Sequence, residues 1–156
     1  VVDAASGCNR SMAGEIMMTL AQKRGLAGVV VDGCLRDLDG IETLNMPVDA
    51  KGITPQGPYK NGPGEINVPV SCGGQVVFPG DILVGDRDGI VVIHPQDAKE
   101  IALAAQKKKA GEEATFAMMA EDIDAYVIKH INSTKERMEG KKITWFDRYP
   151  VSDLPC

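Results

Sequence analysis

The sequence predicts an α/β fold, and three observations carry that prediction. Apolar residues recur at helical spacing near the start, a wholly apolar β-branched run follows, and short strands punctuated by Pro and Gly fill the middle. Val1–Asp3 reads as the end of a strand and Ala4–Arg10 as a loop. Ala13, Ile16, Met17, Leu20 and Ala21 stand at i, i+3, i+4, i+7 and i+8, the stripe by which an amphipathic helix faces a core. Gly25 closes that helix, with Lys23 and Arg24 suiting its C-terminal dipole. Gly28–Asp32 has the composition of a buried parallel strand, and a short helix follows from Asp37 to Leu44.

Most of the chain's nine prolines lie between Pro47 and Pro95. Strands are expected at Val48–Lys51, Glu65–Val70, Gln75–Phe78, Asp81–Val84 and Gly89–His94. Asp88-Gly89 predicts a hairpin between the last two, and Cys72-Gly73-Gly74 a tight turn. His94 reads as a strand-end residue and His130 as a helix-surface one. Helical spacing returns at Ala98, Ile101, Ala102 and Ala105, and again through Ile123, Val127 and Ile131. Lys107–Lys109 before Glu112-Glu113 predicts a solvated face with paired charges. One domain over residues 1–142 is expected, with an irregular tail at 143–156.

Composition narrows the function classes. Seventeen Lys+Arg against 22 Asp+Glu give a net charge of −5, which argues against a nucleic-acid partner. Aromatics at 4% leave few stacking platforms for single strands. No apolar run approaches the length of a membrane span, so no membrane partner is expected. The four cysteines, at 8, 34, 72 and 156, form no CxxC pair and read as scattered free thiols, which suits a reducing, cytoplasmic location.

Two places combine polar residues with a helix start. At Gly14-Glu15-Ile16-Met17 the first amides of the helix are free donors, and Gly14 permits close approach of a carboxylate or phosphate. A plain helix start with Glu15 complementing the dipole is the alternative. At Cys34-Leu35-Arg36-Asp37, just past the apolar strand, Arg36 can clamp a carboxylate and Asp37 offers hard oxygen to Mg²⁺ or Mn²⁺. Asp37 as an ordinary N-cap is the alternative there. Glu15 is followed by twenty residues and then by Arg36-Asp37, which sets an acid, a cation and a second acid on adjacent βα junctions.

That spacing resembles the Asp/Glu-x20-Arg-Asp signature of the class II pyruvate aldolases that act on 4-hydroxy-4-methyl-2-oxoglutarate. They share a superfamily with the RraA-type regulators of ribonuclease E. The likeness continues through Gly28–Asp37, Asn67–Val70, Cys72–Val76 and Pro79–Val92. It implies a swivelling β/β/α-type domain, a β core flanked by helices, assembled as a homotrimer or homohexamer. It also implies that the Gly14, Glu15, Ile16 and Met17 amides and the Arg36 guanidinium hold the pyruvyl end of a small α-keto acid. Asp37 would then bind the metal, Mg²⁺ or Mn²⁺, and Glu15 would hold water on it for proton transfer. The implied activity is a metal-dependent lyase with oxaloacetate decarboxylation beside aldol cleavage. The implied alternative is a protein-binding regulator without catalysis, whose relatives typically lack the acid at the position of Glu15. An acid from a neighbouring subunit is also implied, with Glu112, Glu113 and Glu121 as candidates. Against the family pattern, a segment ahead of Val1 is expected and not part of the sequence.

Overall fold

The computed structural model describes residues 1–5 and 7–141, so the expected tail at 143–156 lies outside the described residues. The chain divides into two compact units, Val1–Lys99 and Glu100–Cys156. The expected domain therefore spans the first unit and the described part of the second.

The first unit opens with β1 (Val2–Asp3), α1 (Glu15–Lys23), β2 (Val29–Leu35), α2 (Leu38–Glu42) and β3 (Val48–Ile53). The three strands form one parallel sheet in the order β1-β2-β3. Parallel strands need crossovers, and the two helices supply them. Met18, Val31, Leu35, Ile41 and Met46 form the core between sheet and helices, with Ala13, Ala21, Val29, Leu44 and Val48 packed against it. Beyond the sheet, β4 (Val70–Cys72) pairs antiparallel with β5 (Gln75–Val77), and β6 (Ile82–Gly85) with β7 (Ile90–Ile93). The α/β class and the helix-flanked β structure expected above are what the fold shows, with the strands divided among three small sheets.

Three expectations are corrected. The helix buries Met18, with Ala21 packed beside it, while Ile16, Met17 and Leu20 of the expected core stripe are exposed. Apolar residues on two adjacent faces of α1 merge into one stripe when only spacing is read. The expected strand Glu65–Val70 begins only at Val70, because Asn67 has a left-handed φ of 60° and Pro69 lacks an N–H for a ladder. Finally, Cys8 and Cys34 are not free thiols but a disulfide that ties the loop after β1 to β2. Cys72 is free.

The two short hairpins follow their turn residues. Gly73 and Gly74, both at positive φ, link β4 to β5, and Asp86 N donates to Gly89 O across the β6–β7 turn. In the second unit, α3 (Ala98–Glu121, begun in the first) precedes α4 (Ile123–Met138). The Asp122 carboxylate caps α4 by accepting from Ala125 N at 2.9 Å. Lys108 and Lys109 pair with Glu112 and Glu113 one turn on, as the charge pattern predicts. No helix among the described residues is long and apolar enough to cross a membrane.

Candidate active site

The end of β2 delivers Arg36-Asp37 beside the start of α1. A bulge assists: between Val31 and Cys34 the pairing of β2 with β3 shifts register, which bends the strand where it leaves the sheet. Two main-chain bonds fix the loop before α1 against this strand end, Met12 N to Cys34 O at 2.7 Å and Arg36 N to Ala13 O at 3.1 Å.

Gly14 caps α1 with extended backbone and contributes no side-chain cap bond. It is buried, and Arg36 and Asp37 lie directly over it. A Cβ on Gly14 would collide with Asp37 Oδ2 and stand 2.9 Å from Arg36 Cγ and 3.1 Å from Arg36 Nε. Only a residue without a side chain admits the pair. Met17 N is taken by Gly14 O at 3.0 Å, whereas the amides of Glu15 and Ile16 belong to the first turn and have no partner inside the helix.

Asp37 precedes α2 but does not act as its cap: its side chain makes no cap bond and its backbone is left-handed, φ 61° and ψ 47°. A non-glycine residue there costs on the order of 1–3 kcal/mol, and such strain gathers where a side chain must point in one direction. The carboxylate instead approaches Arg36 Nε at 3.4 Å, in a half-exposed ion pair. That contact is not a hydrogen bond, and the buried Nε–H of Arg36 has no hydrogen-bond partner. The Arg36 Nε–H is thus held by this long ion pair alone, beside the open start of α1.

Glu15 reaches the same region from the first turn of α1, and its carboxylate fills the space where a Cβ of Gly40 would stand. Sequence reasoning placed Glu15, Arg36 and Asp37 on adjacent junctions but missed Gly40. Its signal was a glycine inside a short helix, a costly choice that asks for a packing reason. The structure thus brings Gly14, Arg36 and Asp37 into contact and puts Glu15 against α2. Ile16 and Met17 contribute exposed side chains.

Among the described residues no three His, Cys, Asp or Glu side chains cluster to hold a metal. The donor at hand is the Asp37 carboxylate, half exposed. It fits a hard divalent ion that keeps most of its water, as Mg²⁺ does, and does not fit a closed cage of the structural zinc kind.

A family model described as RraA-like, Aldolase/RraA, matches residues 1–92, more than half of the chain and every residue of this site. The chain belongs to the RraA-like family. Among RraA-like relatives, a protein of Halalkalibacterium halodurans with the provisional name 4-hydroxy-4-methyl-2-oxoglutarate aldolase is 40% identical over 135 residues, 85% of this chain and 64% of that one. A solved structure from Streptomyces coelicolor, described as an unusual member of the RNase ES inhibitor RraA protein family, has a TM-score of 0.68 and 33% identity. The match covers 76% of this chain and 61% of that one. An uncharacterized protein from Pseudomonas syringae reaches a TM-score of 0.72 at 29% identity, over 78% of this chain and 62% of its own. This RraA-like chain spans between 44% and 64% of the length of the curated relatives it matches.

Outside the site, His94 is more than a strand end. Its Nδ1 lies 2.8 Å from Asp81 Oδ1, and Asp81 Oδ2 accepts from Phe78 N at 2.8 Å. The bond to Asp81 holds the His94 imidazole above its usual range, and the bond to His94 holds the Asp81 carboxyl below its own.

Proposed function

We propose that the protein is a divalent-metal-dependent carbon–carbon lyase that releases pyruvate from an α-keto acid. The aldol substrate is 4-hydroxy-4-methyl-2-oxoglutarate, and decarboxylation of oxaloacetate is a companion activity. The observation that carries this reading is Arg36-Asp37 folded over Gly14, with the buried Arg36 Nε–H free of any hydrogen bond beside an open helix start.

In this reading Arg36 clamps the carboxylate of the pyruvyl end, and the Glu15 and Ile16 amides of α1 hold its oxygens, the Met17 amide being taken by Gly14 O. Both sets of donors also favour charge that develops on the keto oxygen as the bond beyond C3 breaks. Glu15, through water, accepts the proton of the C4 hydroxyl; the C3–C4 bond then breaks to give pyruvate and a pyruvate enolate. The same proton returns to C3, so the second product is also pyruvate. From oxaloacetate the broken C3–C4 bond releases CO₂, and the enolate takes its proton at C3. The chemistry that Mg²⁺ or Mn²⁺ supplies when bound at Asp37 is polarisation of the keto oxygen. No lysine is required. A homotrimer or homohexamer and an acid from a neighbouring subunit belong to the same proposal, whereas the Cys8–Cys34 disulfide removes the free-thiol argument for a cytoplasmic location.

The S. coelicolor relative supports a second reading, a regulator that binds ribonuclease E without catalysis. Glu15 favours the lyase, since by the family pattern regulators lack that acid. The test is pyruvate release from both substrates with Mg²⁺ or Mn²⁺. Arg36→Ala and Asp37→Ala are each expected to lower kcat/KM by roughly a hundredfold or more, the scale of removing a charge-stabilising group. Undiminished turnover in both variants, or none in the wild type with metal, overturns the lyase.

A further inference from the structure

The Arg36 guanidinium is held at both ends by glycines. Its Nε lies over Gly14, and its Nη1 is 3.1 Å from where a Cβ of Gly57 would stand. Gly57 belongs to the segment after β3, which leaves the sheet with Thr54 N donating to Leu35 O at 2.9 Å. The loop before α1 fastens that segment. Ser11, fully buried, donates to Gln56 O through its N–H at 2.9 Å and its hydroxyl at 3.1 Å. Arg10 Nη1 donates to Gly57 O at 2.8 Å, and the Arg10 guanidinium lies 4.0 Å above the Tyr59 ring. With the Gln56 amide oriented to satisfy both its ends, Gln56 also accepts from Arg10 Nη2 at 3.1 Å and donates to Asn9 O at 2.7 Å.

We infer that Arg10 is a positioning residue for the substrate clamp: it pins Gln56–Tyr59 so that Gly57 walls the outer end of the Arg36 guanidinium. Two features separate this role from direct binding. Arg10 gives one N–H to Gly57 O and one to Gln56, and its flat face lies on Tyr59, so its charge is used to shape a wall. A Cβ at position 57 would stand 3.1 Å from Arg36 Nη1 and press on it by a few tenths of an ångström. A lysine at position 10 keeps the charge but has neither the fork nor the planar face, so it cannot hold three partners at once.

The inference rests on the lyase reading, in which Arg36 grips the carboxylate. Its test is the dissociation constant of pyruvate, measured by ligand-observed NMR with Mg²⁺ present. The proteins are wild type, Arg10→Lys, Gly57→Ala, their double variant and Arg36→Ala, each checked for an unchanged unfolding midpoint. Gly57 is not in the left-handed region, so alanine there adds a Cβ without backbone strain. Arg10→Lys and Gly57→Ala are each expected to weaken pyruvate by roughly three- to tenfold. The double variant is expected to be no weaker than the weaker single one, because a released segment no longer presses its new Cβ on Arg36. Wild-type affinity in both single variants, or a double variant weakened by the product of the two factors, overturns the clamp. Wild-type affinity in Arg36→Ala overturns instead the lyase reading beneath it.

Discussion

Asp37 and Gly14 are the residues on which the site turns, and each is held for a steric reason. The left-handed backbone at Asp37 aims its carboxylate across the helix start, and Gly14 leaves room for it. Gly14→Ala is therefore expected to cost activity far more than stability: pyruvate release down by roughly a hundredfold as Arg36 and Asp37 are displaced, with the thermal midpoint little changed. Equal loss of both would mean that Gly14 serves folding alone. The types and spacing of Glu15, Arg36 and Asp37 were legible in the sequence because a βα junction fixes where a strand ends. The φ of Asp37, and Gly40 and Gly57 opposite Glu15 and Arg36, were not, because close approach is decided by residues far apart in the chain.

The His94–Asp81 pair is the other residue-scale lesson. Nothing in a histidine before a proline announces a partner thirteen positions earlier. Its pH dependence follows from the two shifts. The raised His94 favours the folded state fully below its ordinary value of 6.5 and less as pH climbs through its folded value. The lowered Asp81 favours it above 3.8 and less as pH falls through its own folded value. The pair is thus most stabilising between about pH 4 and 6.5. Denaturant unfolding at pH 5.5 and 8.5 is expected to show the wild type losing stability at the higher pH and His94→Gln losing less. Parallel curves would show that the pair does not couple to folding.

At the scale of elements, hydrophobic period found the strands and helices but not the contacts between them. β2 was visible as an apolar run, yet its bulge and its continuation through Gly33-Cys34-Leu35 depend on the register with β3. The disulfide is the same kind of fact. Cys8 and Cys34 are 26 residues apart and come together only because the loop after β1 folds back onto β2. Closing a loop of that length restricts the unfolded chain by about 3.5 kcal/mol in the chain-entropy account. Cys8→Ser is expected to lose stability of that order in denaturant unfolding without reductant. Wild type with an excess dithiol is expected to fall to the same level, and a wild type indifferent to the dithiol would remove the bond from the account of stability.

At the scale of the whole molecule, the residues of the site all lie in the first unit, inside the stretch the family model matches. The second unit poses a different physical question. Neither α3 nor α4 buries a single residue in the isolated chain, and Leu103, Phe116 and Ile128 are 59%, 69% and 60% exposed. Helices without a packed face are marginal in water however good their propensity, and exposed apolar side chains on that scale invite association. The trimer or hexamer proposed above would give those residues a place to go. The chain is therefore expected to sediment as a trimer or hexamer at micromolar concentration, with Phe116→Glu shifting it toward monomer and lowering helicity at 222 nm in step. Since each buried large apolar side chain contributes about 1.5–3 kcal/mol, one charged replacement per protomer is enough to move a micromolar equilibrium visibly. A monomeric wild type with full helicity would show that these helices stand without a partner and would remove the assembly from the proposal.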